Sequence, residues 1–431
     1  MQKSNRASEL NIFAFWKAQQ KSWKVTVIRT SLERLGYKLI LPYLSLFIIL
    51  LGANKTQLGL ITSAGLICAG LLAPFLGQNI DRHGPKKMYL FGIFVLLGGY
   101  LAFCGAKTWQ IAALGMFLHQ MGQTLAGQSC ANICGNCLAN CDRAKGMLVC
   151  ETLAAGVLGM IGPMLSGWFL VNIMKVSGTP SLPEQIRPLF FFPLIFTAAS
   201  LLLVIFKLDV RHLGGAVRKG GGITGAIKDA VTMVKADKNC LKWILMVGVG
   251  RMPQAMIIPY LQLYAAEIKG ASVETLAAMT TATALTSVVC GYFIGILSDK
   301  FGRKITFGST LALYIIGLIL LITTNSPIVL VIIGALAGFQ EISQVISGSM
   351  QHELVPAWAR GRWSGVNSFV GSMVSAAIAA VAGVIYDGIG AHWLFIIYIA
   401  AELIIRVPLL ISLPETLTHK VNEENFAALR K

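Results

Sequence analysis

Two arginines stand within apolar stretches at matching places in the two halves of the chain. Arg34 precedes a Pro-Tyr-Leu sequence at 42–44 by eight residues, and Arg251 precedes the same sequence at 259–261 by eight residues. A guanidinium group can bind a carboxylate or a phosphate through two parallel hydrogen bonds. The repeated arrangement predicts a site for an anionic group, with the alternative that each arginine pairs with a nearby carboxylate or backbone carbonyl.

Other titratable side chains also fall within apolar stretches. Glu33 and Lys38 flank Arg34, His119 lies near the middle of the fourth stretch, and Glu341 lies near the centre of the tenth. Charge in such surroundings is costly, so these groups usually face a cavity or a partner. Low dielectric raises the pKa of a carboxyl group and a nearby arginine lowers it again. Glu33, Glu341 and His119 are therefore the candidates for proton coupling.

Two acid–base pairs spaced one helical turn apart indicate a simpler role for some of these charges. Arg29 precedes Glu33 by four residues, and Glu402 precedes Arg406 by four. Opposite charges at this spacing can pair on a helix. We expect the second pair to be structural, whereas Glu33 is either a neutralising partner of Arg29 or a proton-coupling group.

The stretches that carry these residues are long enough to cross a bilayer. Hydrophobic residues make up 55% of the chain and charged residues 13%, a composition that a soluble protein of this length would not show. A membrane-spanning helix needs about 20 apolar residues. An all-α membrane protein is predicted, with twelve transmembrane helices at 26–51, 56–78, 88–105, 109–138, 147–173, 188–206, 241–265, 275–297, 305–323, 327–350, 363–386 and 392–413.

Basic residues are sorted among the connecting segments. With the N-terminus assigned to the cytoplasm and Lys242 counted with the segment before the seventh helix, 26 of the 36 Lys and Arg fall in cytoplasmic tails and loops, five in external loops and five in the predicted helices. This asymmetry is the positive-inside pattern, which places both termini in the cytoplasm. It accounts for the net charge of +17 without nucleic acid as a partner. We predict a multi-pass protein of the plasma or inner membrane, in contact with the lipid bilayer.

A polar, basic segment divides the predicted helices into two groups of six. It interrupts the hydrophobic pattern and contains three consecutive glycines at 220–222. The first residues of the chain are polar and basic, so no cleavable signal peptide is predicted. The predicted organisation is a cytoplasmic tail at 1–24, a six-helix bundle at 25–206, a cytoplasmic linker at 207–240, a six-helix bundle at 241–413 and a cytoplasmic tail at 414–431.

Four cysteines follow one helical face, at Cys130, Cys134, Cys137 and Cys141. Thiolates bind soft metals such as zinc and copper(I), but small residues also let membrane helices pack closely. We expect packing, with no metal and no cofactor.

The sequence contains no zinc motif, no nucleophile elbow and no Walker sequence, so an enzyme is not predicted.

A second repeat occupies two basic turns between predicted helices. Residues 77–87 read GQNIDRHGPKK and residues 295–304 read GILSDKFGRK, both with the spacing G-x-x-x-D-[RK]-x-G. Each residue type is ordinary in a turn, but two copies half a chain apart in equivalent contexts are a strong signal. The motif resembles the signature loop of the major facilitator superfamily, found there between helices 2 and 3 and between helices 8 and 9.

Resemblance to this superfamily implies two pseudo-symmetric six-helix bundles around a central cavity lined by helices 1, 4, 7 and 10. The solute would bind there, near the middle of the membrane. In this chain the corresponding polar residues are Arg34, Lys38, His119, Gln123, Arg251, Gln254, Glu341 and Gln344.

The resemblance also implies a gate at the repeated turns. Carboxylates of the turns would meet the positive ends of helices 11 and 5. Basic residues of the turns could bind lipid headgroups or bridge to Asp142 and Glu353 at the ends of helices 4 and 10. These contacts would hold the cytoplasmic side shut. The implied gating residues are Gly77, Asp81, Arg82, Gly84, Asp142, Arg143, Gly295, Asp299, Gly302, Arg303 and Arg360.

The sequence resembles two different kinds of secondary transporter. The sequence GPMLSG at 162–167 resembles a helix-5 motif of proton-linked drug exporters, with Ser166 in place of a glycine. The repeated arginine and Pro-Tyr-Leu positions look like those of the organophosphate:phosphate antiporters. We predict a monomeric carrier of a small organic solute that works by alternating access with proton coupling. An anion exchanger or importer using Arg34 and Arg251 is the alternative, and a non-transporting receptor is a remote one.

Overall fold

The structure is a computed structural model that describes residues 16–17, 19–137, 155–209, 231–235, 237–356 and 360–417. For residues 73–83, 131–132, 135–136, 155 and 361–362 it describes the backbone alone. The predicted positions Asp142, Arg143 and Cys141 lie outside the described residues. The side chains of Gly77, Asp81 and Arg82 also lie outside the description.

Twelve helices of 18 or more residues, α1 to α12, follow one another in the described part of the chain. The first six are α1 (Lys21–Leu50), α2 (Lys55–His83), α3 (Pro85–Gly105), α4 (Trp109–Cys137), α5 (Ala155–Asn172) and α6 (Pro183–Lys207). The second six are α7 (Lys238–Glu267), α8 (Val273–Phe301), α9 (Arg303–Thr323), α10 (Pro327–Glu353), α11 (Arg360–Gly388) and α12 (Ala391–Ser412).

Nine of these described helices are long and apolar enough to cross a membrane, namely all except α1, α4 and α5. Large apolar side chains such as Phe94, Phe206 and Ile404 are exposed on the outside of the bundle, where a membrane protein meets lipid. The chain is therefore a multi-pass membrane protein. The count of twelve crossings and the placement of the termini stay predictions.

The two repeated turns share one backbone conformation. Gly84 connects α2 to α3 with φ of 84°, and Gly302 connects α8 to α9 with φ of 100°. Positive φ is accessible to glycine at little cost and strained for other residues. The repeat in the sequence is thus also a repeat in backbone geometry.

Equivalent lysines tie each turn to the last helix of its own half. Lys86 Nζ donates hydrogen bonds to two carbonyl oxygens at the C-terminal end of α6. Lys304 Nζ does the same at the C-terminal end of α12. A positive charge is favourable at the negative end of a helix dipole, so these contacts stabilise each half separately.

The largest buried apolar cluster joins both halves at one end of the bundle, and includes Tyr43 of α1 and Tyr260 of α7. Smaller clusters toward the opposite end each draw on one half, around Trp23 in the first and around Trp243 and Trp363 in the second. Among the described residues, one large apolar cluster therefore joins the two halves at one end, whereas the smaller clusters toward the other end each belong to one half. We call the shared end the closed end; it is formed by residues 50–56, 176–183, 264–275 and 385–391.

Two helices of the second half contain a π-helical turn. The turn in α7 spans Pro253–Ile257 and begins two residues after Arg251. The turn in α12 spans Glu402–Arg406. Such turns insert an extra residue, rotate the side chains that follow and often occur at functional sites.

Candidate functional site

An ion pair connects the two halves near the middle of α1 and α10. Lys38 Nζ lies 3.1 Å from Glu341 Oε1. The side chain of Lys38 is 18% exposed and that of Glu341 is 43% exposed, so the pair borders accessible space. The structure thus brings Lys38 and Glu341 together, and Arg34 lies one turn before Lys38 on the same helix.

His119 lies among aromatic rings inside the first half. Its imidazole stacks on Tyr37 with ring centres 4.9 Å apart and meets Tyr100 edge-on at 5.4 Å. The residue is 3% exposed, and Nδ1 has no hydrogen-bond partner among the described residues. In this conformation the side chain of His119 is enclosed by these rings, and its part in solute binding stays a prediction.

Glu33 is held beside His119 by a different partner from the one expected. Its carboxylate accepts a hydrogen bond from Gln123 Nε2 of α4. Arg29 instead lies over the ring of Tyr89, 5.2 Å from its centre, and no ion pair between Arg29 and Glu33 is present among the described side chains. Both residues are buried, and Glu33 stays a candidate for proton coupling.

Arg251 ends the first segment of α7 and belongs to a second polar group. Its Nη1 donates to Gln254 Oε1 at 3.3 Å. Its guanidinium lies against Gly371 of α11, where an added Cβ would stand 2.7 Å from Nε. Gln344 of α10 donates to the carbonyl oxygen of Gly250 at 3.2 Å. This group adjoins the first through α10, which carries both Glu341 and Gln344.

The gate residues of the second half show part of the expected contacts. Arg303 pairs with Asp299 Oδ1 at 2.8 Å and with Glu353 Oε1 at 3.3 Å, so the predicted bridge from this turn to Glu353 is present. The start of α5, the expected neighbour of Asp299, lies outside the described residues. Arg360 Nε donates to a backbone carbonyl at the end of α10. A Cβ added to Gly295 would meet no described atom within 4 Å.

The cap of α9 was not predicted from the sequence. Glu415, in the segment after α12, accepts hydrogen bonds from the backbone N–H groups of Arg303 and Lys304 at 2.9 and 3.2 Å. Thr416 Oγ1 donates to Glu353 Oε2 at 2.6 Å. A carboxylate is favourable at a helix N-terminus. The Pro-Glu-Thr sequence directly after the last apolar stretch was the available signal.

The first turn of α2 is held by the second half, which was also not predicted. Lys55 Nζ lies 3.3 Å from Glu267 Oε1. The backbone N–H and the hydroxyl of Thr56 both donate to Asp387 Oδ2, at 2.9 and 3.0 Å. Asp387 therefore caps a helix of the other half, and these contacts make the closed end a polar junction as well as an apolar one.

The cysteines of α4 pack against α1. Cys130 Sγ lies 3.7 Å from Thr30 Oγ1, and Cys134 Sγ lies 3.5 Å from Thr26 Oγ1. No cluster of three or more metal-ligating side chains occurs among the described residues. The described contacts support packing for these two thiols.

Apolar helices, an ion pair between helices of the first and second half and a junction at one end are features that an alternating-access membrane transporter requires. Residues 28–252 and 243–430 match the family model of the Major Facilitator Superfamily, and the chain belongs to this superfamily. It is a secondary transporter rather than an enzyme, and it carries a small-molecule solute.

Relatives of similar length are known. The multidrug resistance protein MdtG of Yersinia enterocolitica is 25% identical over 340 residues, covering 74% of this chain and 76% of that protein. MdtG of Dickeya zeae is 23% identical over 326 residues, covering 70% and 72%. Among solved structures, the nucleoside transporter NupG gives a TM-score of 0.68 at 11% identity over 93% of this chain and 100% of that one. A D-xylose-proton symporter gives 0.68 at 15% identity over 93% and 99%.

Proposed function

We propose that this transporter carries a small organic solute with an anionic group, and that Glu341 couples its movement to protons. The observation that carries the proposal is the ion pair between Lys38 and Glu341, because it joins the two moving halves and is partly exposed. A solute carboxylate or phosphate would compete with Glu341 for Lys38. A proton on Glu341 would release Lys38 for the solute.

The charge balance of the two polar groups favours an anion. Arg34, Lys38 and Arg251 contribute three positive charges, and Glu341 contributes one negative charge. Within the described residues Arg251 is hydrogen-bonded to the neutral Gln254 rather than to a carboxylate. Unpaired arginine in a membrane-spanning helix is costly, and an anionic solute would offset that cost.

The charges at the site predict whether the proton and the solute move in the same direction or in opposite directions. Protonation of Glu341 removes the negative charge nearest the site, so an anion binds more tightly to the protonated carrier. Because linkage is reciprocal, a bound anion also favours protonation. Proton and anion should therefore travel in the same direction. A difference of about 1.4 kcal/mol between the protonated and deprotonated carrier would change the Kd for the anion about tenfold.

The closed end supplies the gate that this cycle requires. Contacts such as those of Lys55 with Glu267 and of Thr56 with Asp387 must break before the site can open at that end. If the termini are cytoplasmic, as the distribution of basic residues predicts, the closed end is external and the site faces the cytoplasm in this conformation.

Export of an amphipathic drug by proton antiport is the second candidate. The relatives named multidrug resistance proteins favour it, as does the glycine-rich sequence of α5. A Cβ at Gly162 would stand 2.9 Å from backbone atoms of α1, and one at Gly167 would stand 2.7 Å from Ala277 of α8, so α5 packs closely on both halves. A cationic solute would compete with the proton at Glu341, which predicts movement in opposite directions.

A ligand-dependent thermal shift on the purified protein would test the proposal. The panel contains phosphorylated metabolites, carboxylates, lipophilic cations and neutral sugars, each at acidic and neutral pH. A ligand at a hundred times its Kd stabilises the folded state by about 2.7 kcal/mol. We expect anions to stabilise the wild type, more strongly at acidic pH, and to lose this effect in Arg34→Ala and Arg251→Ala.

Arg187→Ala is the control, because Arg187 pairs with Glu184 within the first half and should leave the anion effect intact. Stabilisation by lipophilic cations that is weaker at acidic pH, with no effect of either site arginine, would replace the proposal with the drug-export candidate.

A further inference from the structure

A fully buried ion pair lies behind Arg251. Arg406 Nη1 is 2.9 Å from Glu402 Oε1, and the two side chains are 2% and 0% exposed. The guanidinium carbon of Arg406 lies 4.8 Å from the centre of the Phe307 ring. The predicted pair of α12 is thus present. Burying two charges costs about as much as their attraction returns, so stability alone gives little reason for this pair.

The pair touches the peptide that carries Arg251. A Cβ added to Gly250 would stand 2.5 Å from Arg406 Nη2 and 2.9 Å from its Cζ, so the guanidinium rests on the backbone of Gly250. Gly250 is the last residue of the α-helical segment that Arg251 follows. Gln344 of α10 binds the carbonyl oxygen of the same glycine. Two neighbouring helices thus hold the point where α7 changes its geometry.

Irregular turns occur in both helices at this contact. The π turn of α12 spans both charged residues, and the π turn of α7 begins just beyond Arg251. Since one residue advances an α-helix by about 100°, an extra residue redirects the side chains that follow by a similar angle. The turn in α12 therefore determines which way Arg406 points relative to Glu402, and so its contact with Gly250.

Electrostatics links the pair to Arg251 as well. The Arg406 guanidinium lies against Gly250, the residue directly before Arg251, so the two positive charges are near enough to repel one another. Glu402 supplies the negative charge that offsets Arg406. Removing that carboxylate alone would leave a buried, uncompensated cation next to Arg251.

We propose that Glu402 and Arg406 are positioning residues, which hold the break in α7 so that the guanidinium of Arg251 lies against Gly371 and beside the solute site. The effect on solute affinity rests on the proposed function, in which Arg251 binds the anionic group. The placement of Arg251 itself does not depend on which solute is carried.

Two matched glycine substitutions on α7 test the contact. Gly250→Ala would displace the Arg406 guanidinium, whereas a Cβ at Gly248 would have its nearest neighbour, Val374, at 3.8 Å. The probe is phenylglyoxal, an arginine-specific reagent, with modification of Arg251 followed by mass spectrometry. We expect Gly250→Ala to change the labelling rate of Arg251 by about two- to thirtyfold, the range found for residues coupled to a site. Gly248→Ala should match the wild type, and equal rates in all three proteins would overturn the proposal.

A double variant separates positioning from stability. Glu402→Leu combined with Arg406→Met replaces a buried pair by apolar side chains, which proteins often tolerate or favour. We expect its thermal stability to be retained while the Arg251 labelling rate changes. A stable double variant with wild-type labelling would show that the pair is merely structural. If the double variant does not fold, the comparison of Gly250→Ala with Gly248→Ala tests the proposal by itself.

Anion affinity provides the second readout in both sets of variants. Inorganic phosphate serves as the probe anion, with its Kd taken from thermal shifts. Altered labelling together with weaker phosphate binding supports both proposals. Altered labelling in a carrier whose wild type binds no anion supports the positioning role and contradicts the proposed function.

Discussion

The hydroxyl of Tyr43 donates a hydrogen bond to the carbonyl oxygen of Val273, the first residue of α8, at 3.0 Å. The hydroxyl of Tyr260 donates to the carbonyl oxygen of Lys55, the first residue of α2, at 2.9 Å. Each tyrosine of the repeated Pro-Tyr-Leu sequence thus binds the start of the second helix of the other half. The same repeat that carries the arginines builds a symmetric latch at the closed end.

Removing the two hydroxyls should open the closed end. A net hydrogen bond contributes about 1 kcal/mol, so Tyr43→Phe or Tyr260→Phe should shift the equilibrium between closed and open about fivefold each. The double variant should combine both shifts, because the sites belong to different helices. Double electron–electron resonance between spin labels at Asn54 and Ile389, in a background without native cysteines, measures the population with separated ends.

Tyr292→Phe is the matched control, because Tyr292 is 64% exposed on α8 and takes no part in the latch. Distance distributions in the latch variants that match this control would show that the hydroxyls do not hold the closed end.

Asp387→Ala should also favour opening, since Asp387 caps a helix of the other half. Loss of a helix cap costs about 0.5–2 kcal/mol of stability. Because Asp387 caps α2 in the closed conformation, its removal should destabilise that conformation. The comparison is Asp237→Ala, which removes a cap within one half by breaking its bond to the Asn239 N–H. Both variants should lose stability, but the same spin-label measurement should change in Asp387→Ala alone. An equal response of the two would mean that Asp387 stabilises α2 without gating.

Glu341→Gln should separate solute movement from proton movement. The amide keeps the size of the side chain and cannot take up a proton, so Lys38 becomes available at every pH. We expect solute flux in proteoliposomes to continue without accumulation against a gradient, and an entrapped pH dye to show no proton flux. Glu184→Gln, a change in an exposed carboxylate, should behave as wild type. Proton-driven accumulation by Glu341→Gln would remove this residue from the coupling mechanism.

Gly295 gives a test of the gate at the repeated turns. In this conformation a side chain at Gly295 would meet no described atom within 4 Å, so Gly295→Leu should leave the melting temperature unchanged. If α8 must approach α5 when the gate closes, the leucine side chain would clash in the gate-closed conformation and shift the conformational equilibrium away from it. The same variant should then lower the transport rate about tenfold or more. Normal transport by a stable Gly295→Leu protein would exclude that close approach.

Gly302→Ala, unlike Gly295→Leu, should lower the stability of the protein. Its φ of 100° strains any other residue, and a Cβ would stand 2.7 Å from Glu415 Oε2, so the cap of α9 would be disturbed. We expect a loss of about 1–3 kcal/mol of stability, measured by thermal unfolding in detergent. A melting temperature equal to that of the wild type would show that the turn relaxes around the new methyl group.

The sequence by itself determined the class of protein and the repeated turns, and it predicted the division into two halves. These are local properties, because the length of an apolar stretch and the need for glycine at Gly84 and Gly302 can be read within a few residues. It also singled out Lys38, Arg251 and Glu341 as charges that needed a partner, but it did not indicate which partner each would have.

Only the tertiary structure decided those partners. Lys38 meets Glu341 across 303 residues of chain, and Arg406, at the end of a π turn, lies against the backbone of Gly250, the residue before Arg251. His119 shows the reverse case, since a polar residue expected at the site is enclosed by aromatic rings. Such contacts depend on the rotation and irregular turns of packed helices, which no regular spacing in the sequence specifies.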